Sequence, residues 1–177
     1  MPLNFKPYKP KTMGMQDPHK RITKEDVDKS ITQHIKKHNQ AIHGAKAVNK
    51  QITEEFHRPT QDFDVWTKNP QHHQDKMEDE LDKLAGTDMF HEETKPLQGH
   101  PDIMVYRVVG PRGEVVDYML PPPGAKTKRI DKIRYETLQY AKKIHKQILA
   151  DPNIGWARKQ KSARDLRRIE AYERSLK

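Results

Sequence analysis

The chain has 177 residues, of which 33% are hydrophobic and 33% charged, with a formal net charge of +9 and no cysteine. So few apolar side chains offset poorly a conformational entropy of about 1–2 kcal/mol per ordered backbone residue, which places the chain near the compositional border of disorder. The missing cysteines exclude a disulfide scaffold, a thiolate zinc site and a thiol nucleophile. No apolar run reaches the roughly 18–20 residues that cross a bilayer, and the first residues lack the apolar stretch of a secretory signal.

Residues 1–20 read as an extended basic arm. Pro2, Pro7, Pro10 and Pro18 forbid a regular helix, and Phe5 and Tyr8 alternate with Lys6, Lys9 and Lys11. Residues 21–58 read as one long helix. Thr23 offers an N-cap hydroxyl, with Glu25 and Asp26 in the first turn. Apolar residues recur at Val27, Ile31, Ile35, Ile42, Ala45, Val48, Ile52 and Phe56, and Pro59 ends the run. This narrow stripe suits a helix laid across another surface, with Gly44 as a bend.

Residues 59–102 read as an acidic linker with a short helix. Phe63, Val65 and Trp66 anchor its polar start. Asn69-Pro70 opens the helix, whose apolar residues are Met77, Leu81, Leu84 and Ala85, and Gly86 stops it. Pro96 and Pro101 mark the following residues as loop.

Residues 103–124 hold the one strand-like stretch, a β-hairpin over about 103–120 followed by the stiff Pro121-Pro122-Pro123 spacer. The Gly110-Pro111-Arg112-Gly113 corner pairs Val109 with Glu114. One face then carries Val105, Val109, Val116 and Tyr118, interrupted by Arg107 and Glu114. The other carries Tyr106, Val108, Val115 and Met119, interrupted by Asp117. A free two-stranded hairpin is marginal in water, so both apolar faces need cover. Val105, Tyr106, Tyr118 and Met119 are therefore the candidate partner-docking residues.

Residues 125–177 read as a basic helical region. One helix runs from about Thr127 to Ala150 with Ile130, Ile133, Ala141, Ile144 and Ile148 on a face, and Asp151-Pro152-Asn153 breaks it. A last helix from Trp156 to Leu176 has Leu166 and Ile169 on its apolar edge, with Trp156 and Tyr172 as anchors. Charge is blocked along the chain. Residues 1–53 carry 11 Lys/Arg against 4 Asp/Glu, residues 54–93 carry 4 against 12, and residues 126–177 carry 16 against 6. The last excess favours an outside polyanion. Arg158, Lys161, Arg164, Arg167 and Arg168 are the candidate phosphate contacts, without base reading.

No catalytic motif emerges. His34 and His38 have zinc-compatible spacing, with His43 a turn on, but the metalloprotease glutamate is missing and Lys36 and Lys37 lie between them, so no metal site is expected. Asp102, Glu114 and Asp117 would suit a nuclease cluster, but Val116 stands where its lysine belongs. Ser30, Ser162 and Ser175 lack a nucleophile context.

The expected fold is mainly α, an extended multi-helix chain with one β-hairpin and a basic N-terminal arm. The expected function is non-enzymatic and needs no cofactor. It is that of a structural component of a large nucleic-acid-containing particle, of ribosomal or organellar ribosomal accessory type. Such a protein binds RNA and several protein neighbours, with no membrane and no small-molecule substrate. A structural protein of a virion or cytoskeletal filament is the alternative. Either places it in the cytoplasm, an organelle matrix or a virion.

Overall fold

The computed structural model describes residues 21–177, and the arm read from residues 1–20 lies outside them. In chain order the elements are α1 (Lys24–Lys37), β1 (Ala41–His43), α2 (Gly44–Asn49), a 3-10 turn (Glu54–Phe56), β2 (Phe63–Trp66), α3 (Pro70–Ala85), β3 (His91–Leu97), β4 (His100–Gly110), β5 (Gly113–Met119), β6 (Thr127–Ile130), β7 (Ile133–Glu136), α4 (Leu138–Ala150) and α5 (Trp156–Ser175). The strands form one seven-stranded mixed sheet in the order β3-β4-β5-β2-β1-β7-β6. The expected mainly helical chain with a lone hairpin is thus corrected to an α/β fold.

Three errors of reading produced that expectation. The supposed 34-residue helix breaks after α1, where Asn39 takes a left-handed φ of 51°. The chain then runs through a three-residue strand before Gly44, at φ 68°, opens α2. Apolar spacing of three and four continues across the break by coincidence, because three residues carry no period of their own. Thr127–Glu136 is likewise a hairpin, its two-residue turn formed by Asp131 and Lys132 at φ 50° and 69°. Paired positive φ values normally call for Asn or Gly, so nothing in the sequence announces this turn. Finally, β3 is a charged edge strand with Pro96 at a register shift, the composition that keeps an edge from pairing further.

The caps do follow the sequence. Thr23 Oγ1 accepts from the Asp26 amide at 3.1 Å, while the Thr23 amide donates to Asp26 Oδ2 at 3.0 Å. Gly86, at φ 74°, closes α3.

Side-chain alternation divides the sheet into two unlike faces. On one, Ile42, Phe63, Val65, Val108, Val116, Tyr118 and Tyr135 pack against Val27, Ile31 and Ile35 of α1 and Met77 and Leu81 of α3. On the other, Tyr140 of α4 packs on Ala41 and Trp66. α5 lies on α4 and α2 through Ile169, Ala141, Val48 and Ile52. Among the described residues, no helix is long and apolar enough to cross a membrane.

Candidate active site

A β-bulge sets the chemistry of the second face. Val109 pairs with Glu114 as the turn requires, but the register shifts between Val108 and Val109, so Arg107 faces Asp117 and Tyr106 faces Tyr118. One inserted residue thereby moves Arg107 off the Tyr118 face and beside Asp117. Asp117 pairs in turn with Asp64 across the parallel β5–β2 ladder, and Asp64 with His43 on β1. Glu136 follows Tyr135, the partner of Ile42, and so continues the level on β7. Arg107, Asp117, Asp64, His43 and Glu136 form one row of ionisable groups across five strands. Asp62 stands just before β2, and its charge acts on Asp64.

Each carboxyl has a defined setting. Asp117 accepts two hydrogen bonds of 2.7 Å from the Arg107 guanidinium, which also pairs with Glu114. Burial, with help from Asp62 and Asp117, pushes the Asp64 carboxyl up to about 7 against the opposing pull of Lys161 and Arg158. Burial also pushes Glu136 up to about 7, although its Oε2 accepts from the Gly44 amide at 2.9 Å, and Asp64 adds to the rise. His43 stacks on Trp66 with centroids 4.6 Å apart, and burial followed by Arg158 lowers its imidazole to about 3. Gly44 is required here. A Cβ at that position would sit 2.6 Å from Asp64 Oδ2.

The described carboxylates on this face do not bring three ligand atoms within 4.8 Å of one another. Their donor set is nevertheless that of a hard divalent cation. It is all oxygen, and it includes a buried carboxyl whose charged form needs a positive partner. Asp117 retains lone pairs beyond the two that Arg107 engages. A cavity of about 670 Å³ opens among Lys46, Asn49, His57, Arg58, Phe63 and Tyr135, on the apolar side of the sheet and behind this row.

The residues expected to bind nucleic acid divide in two. Arg158 is half-buried on the inner side of α5, where its charge acts on Asp64 and His43. Lys161, Arg164 and Arg167 are exposed. Arg168 is turned inward. It donates 2.9 Å hydrogen bonds to Asn49 Oδ1 and the Phe56 carbonyl and pairs with Asp165, which Arg58 grips from the other side. It fastens α5 and is no part of a phosphate strip. Tyr172 anchors against Phe56, whereas Trp156 is 76% exposed and anchors nothing among the described residues.

The docking residues are corrected more fully. Val105 and Tyr118 are buried, and Tyr106 and Met119 half-buried, because β4 and β5 are interior strands that the chain's own helices and strands cover. Asp62, Asp64 and Glu136 went unread as functional residues. The signal for the first two was the alternation in Asp62-Phe63-Asp64-Val65, hidden because a four-residue strand resembles an anchored linker.

No protein-family model matches the sequence, and no curated protein matches it. Among solved structures, the fold is similar to that of the crystal structure of the Megavirus polyadenylate synthase, with a TM-score of 0.63. Identity is 18% over 85% of this chain and 31% of that one, so the likeness is one of fold. Sharing a fold with part of an enzyme overturns the expected non-enzymatic particle component, its virion or filament alternative and the exclusion of an enzyme.

Proposed function

We propose that this chain is a nucleotidyltransferase domain that joins a nucleotide from a nucleoside triphosphate to the end of a polynucleotide. The observation that carries this reading is the placement of Asp64 and Asp117 side by side on two adjacent parallel strands, opposite the apolar core, with Asp62 just before β2 and its charge acting on Asp64. The similarity in fold to a polyadenylate synthase supports it. This chain spans less than a third of that protein, so the polymer-forming activity is carried over here as a proposal.

The reaction is an in-line displacement. A terminal hydroxyl of the acceptor attacks the α-phosphorus and loses its proton, one P–O bond forms, and pyrophosphate departs. Asp62, Asp64 and Asp117 would hold a divalent cation such as Mg²⁺. When bound, it supplies charge neutralisation at the phosphate oxygens and activation of the attacking oxygen. Arg107 keeps Asp117 oriented by its two-pronged grip. Arg158 and Lys161 place positive charge beside the row. Lys161, Arg164 and Arg167 offer exposed cations to an acceptor strand, and Trp156 offers a free ring on which a base stacks.

The test is extension of a labelled RNA oligonucleotide by the full chain with Mg²⁺ or Mn²⁺ and each nucleoside triphosphate. Extension should occur, and Asp64→Asn should lower it at least about 100-fold, the loss expected for a ligand-level change. Equal extension by Asp64→Asn, or none with any triphosphate, would overturn the reading.

A further inference from the structure

The apolar face of the sheet holds a second, separate group of chemistry-bearing side chains. His34 stands in the last turn of α1 and His38 at its C-cap, and His73 lies at the start of α3. Each offers a ring nitrogen, and these three atoms lie within 4.8 Å of one another. His34 Nε2 is 3.0 Å from His73 Nδ1, close to the separation of about 3.3 Å that two imidazole nitrogens take around a tetrahedral zinc ion with bonds of about 2.0–2.1 Å. The ring centroids are 4.4 Å apart for His34 and His38 and 5.0 Å apart for His38 and His73.

The surroundings fix the tautomer. His34 Nδ1 lies 3.2 Å from both oxygens of Glu80, so its N–H donates to that carboxylate and the Nε2 lone pair turns to the other rings. A carboxylate behind a histidine is how proteins orient and strengthen an imidazole ligand. Burial lowers the protonation tendency of both His34 and His73, which keeps them as neutral donors. The Tyr118 ring packs at 6.5 Å from His34 and 6.1 Å from His73, and its buried hydroxyl has no hydrogen-bond partner among the described residues.

The sequence-level objections to a metal here are answered by the fold. The glutamate missing between the histidines is a protease's general base, which holding a metal does not require, and Lys36 and Lys37 face solvent, where their charge is screened.

We propose that His34, His38 and His73 bind one Zn²⁺ ion, with Glu80 orienting His34 and solvent entering on the exposed His38 side. Three nitrogen donors select zinc over the Mg²⁺ that an all-oxygen set prefers. The ion clamps α1 to α3 over the core, on the opposite side of the sheet from Asp64, so this site is independent of the proposed transfer activity.

The experiment uses the full chain, stripped with a chelator and titrated with Zn²⁺ by calorimetry and with Co²⁺ by visible spectroscopy. One equivalent should bind, cobalt should show the intense absorption of tetrahedral coordination, and zinc should raise the melting temperature. His38→Ala changes an exposed residue and should fold, as circular dichroism would verify. It should lose at least about tenfold in affinity together with the cobalt absorption. His100→Ala, at a remote histidine, and Asp64→Asn should retain both. Absence of tetrahedral absorption from the parent chain, or its persistence at unchanged affinity in His38→Ala, would sink the proposal.

Discussion

Asp64 and Val65 are neighbours in the chain and belong to different molecules in effect. Val65 is fully buried among the side chains of α1, α3 and β5, while Asp64 sits in a row of charges on the reverse of the same strand. The difference teaches how a polar chain keeps carboxylates together. Asp62, Asp64 and Asp117 repel one another, so the free energy that holds them comes from burial behind them. Residues Phe63, Val65, Val116 and Tyr118 are the apolar counterweight to the three acids.

The sharpest way to break that comparison is to make the same residue on both sides. Val65→Asn should cost about 3–5 kcal/mol and leave the chain unfolded or weakly cooperative by thermal denaturation. Asp64→Asn should fold, and at pH 8 should melt higher than the parent chain while losing transfer. Asp117→Ala comes next, since it removes both hydrogen bonds that Asp117 accepts from the buried Arg107 and leaves it to the half-exposed Glu114. Denaturant titration should register a loss of about 3–5 kcal/mol, with Arg107→Met plus Asp117→Leu recovering most of it.

The pH dependence sharpens the same contrast. Asp64 and Glu136 are raised to about 7 from the ordinary carboxyl range. The folded chain therefore holds protons that the unfolded chain releases, and stability falls as pH rises from about 4 to 7, by up to about 1.4 kcal/mol per pH unit for each group. The melting difference between Asp64→Asn and the parent should be near zero at pH 4 and should open towards pH 7. Mg²⁺ should narrow it at pH 8 and leave it unchanged at pH 5. A constant difference would remove Asp64 from the buried, cation-seeking role.

The smallest effects separate the two sides of α5. Trp156→Ala should weaken polynucleotide binding by about 1–3 kcal/mol. Arg164→Gln should lower the log–log salt slope by about 0.7–0.9 and leave stability alone. Arg168→Gln should do the reverse, lowering the melting temperature with no change in slope. If the two arginines behave alike, α5 does not have distinct inner and outer sides.

The fold was legible where local chemistry dictates it. The Thr23 cap, the Gly86 stop, the Asp151-Pro152 break and the Val109–Glu114 corner were all readable, whereas Pro59 closes no helix. The sheet was not. β1, β2, β6 and β7 have three or four residues each, too few for a period-two signal, and β3 is polar because it lies at an edge. The candidate site was illegible for a related reason. Asp64 meets Asp117 only through a parallel pairing, and Arg107 meets Asp117 only through a bulge, neither of which leaves a mark in the local sequence.

That pairing pattern has a consequence for how the chain comes into being. β1 and β2 can pair as soon as both exist, but β2 gains its parallel neighbour only when residue 116 has been made, and β1 gains its own only with residue 134. Loop closure over such distances slows folding and delays it towards the end of synthesis. On the ribosome, a nascent chain that has exposed α1, β1 and β2 presents an apolar face that still lacks α3, β5 and β7. It also presents two aspartates without the third. The carboxylate row is complete only once Glu136 has been made, and truncation before Glu136 leaves it without its β7 member.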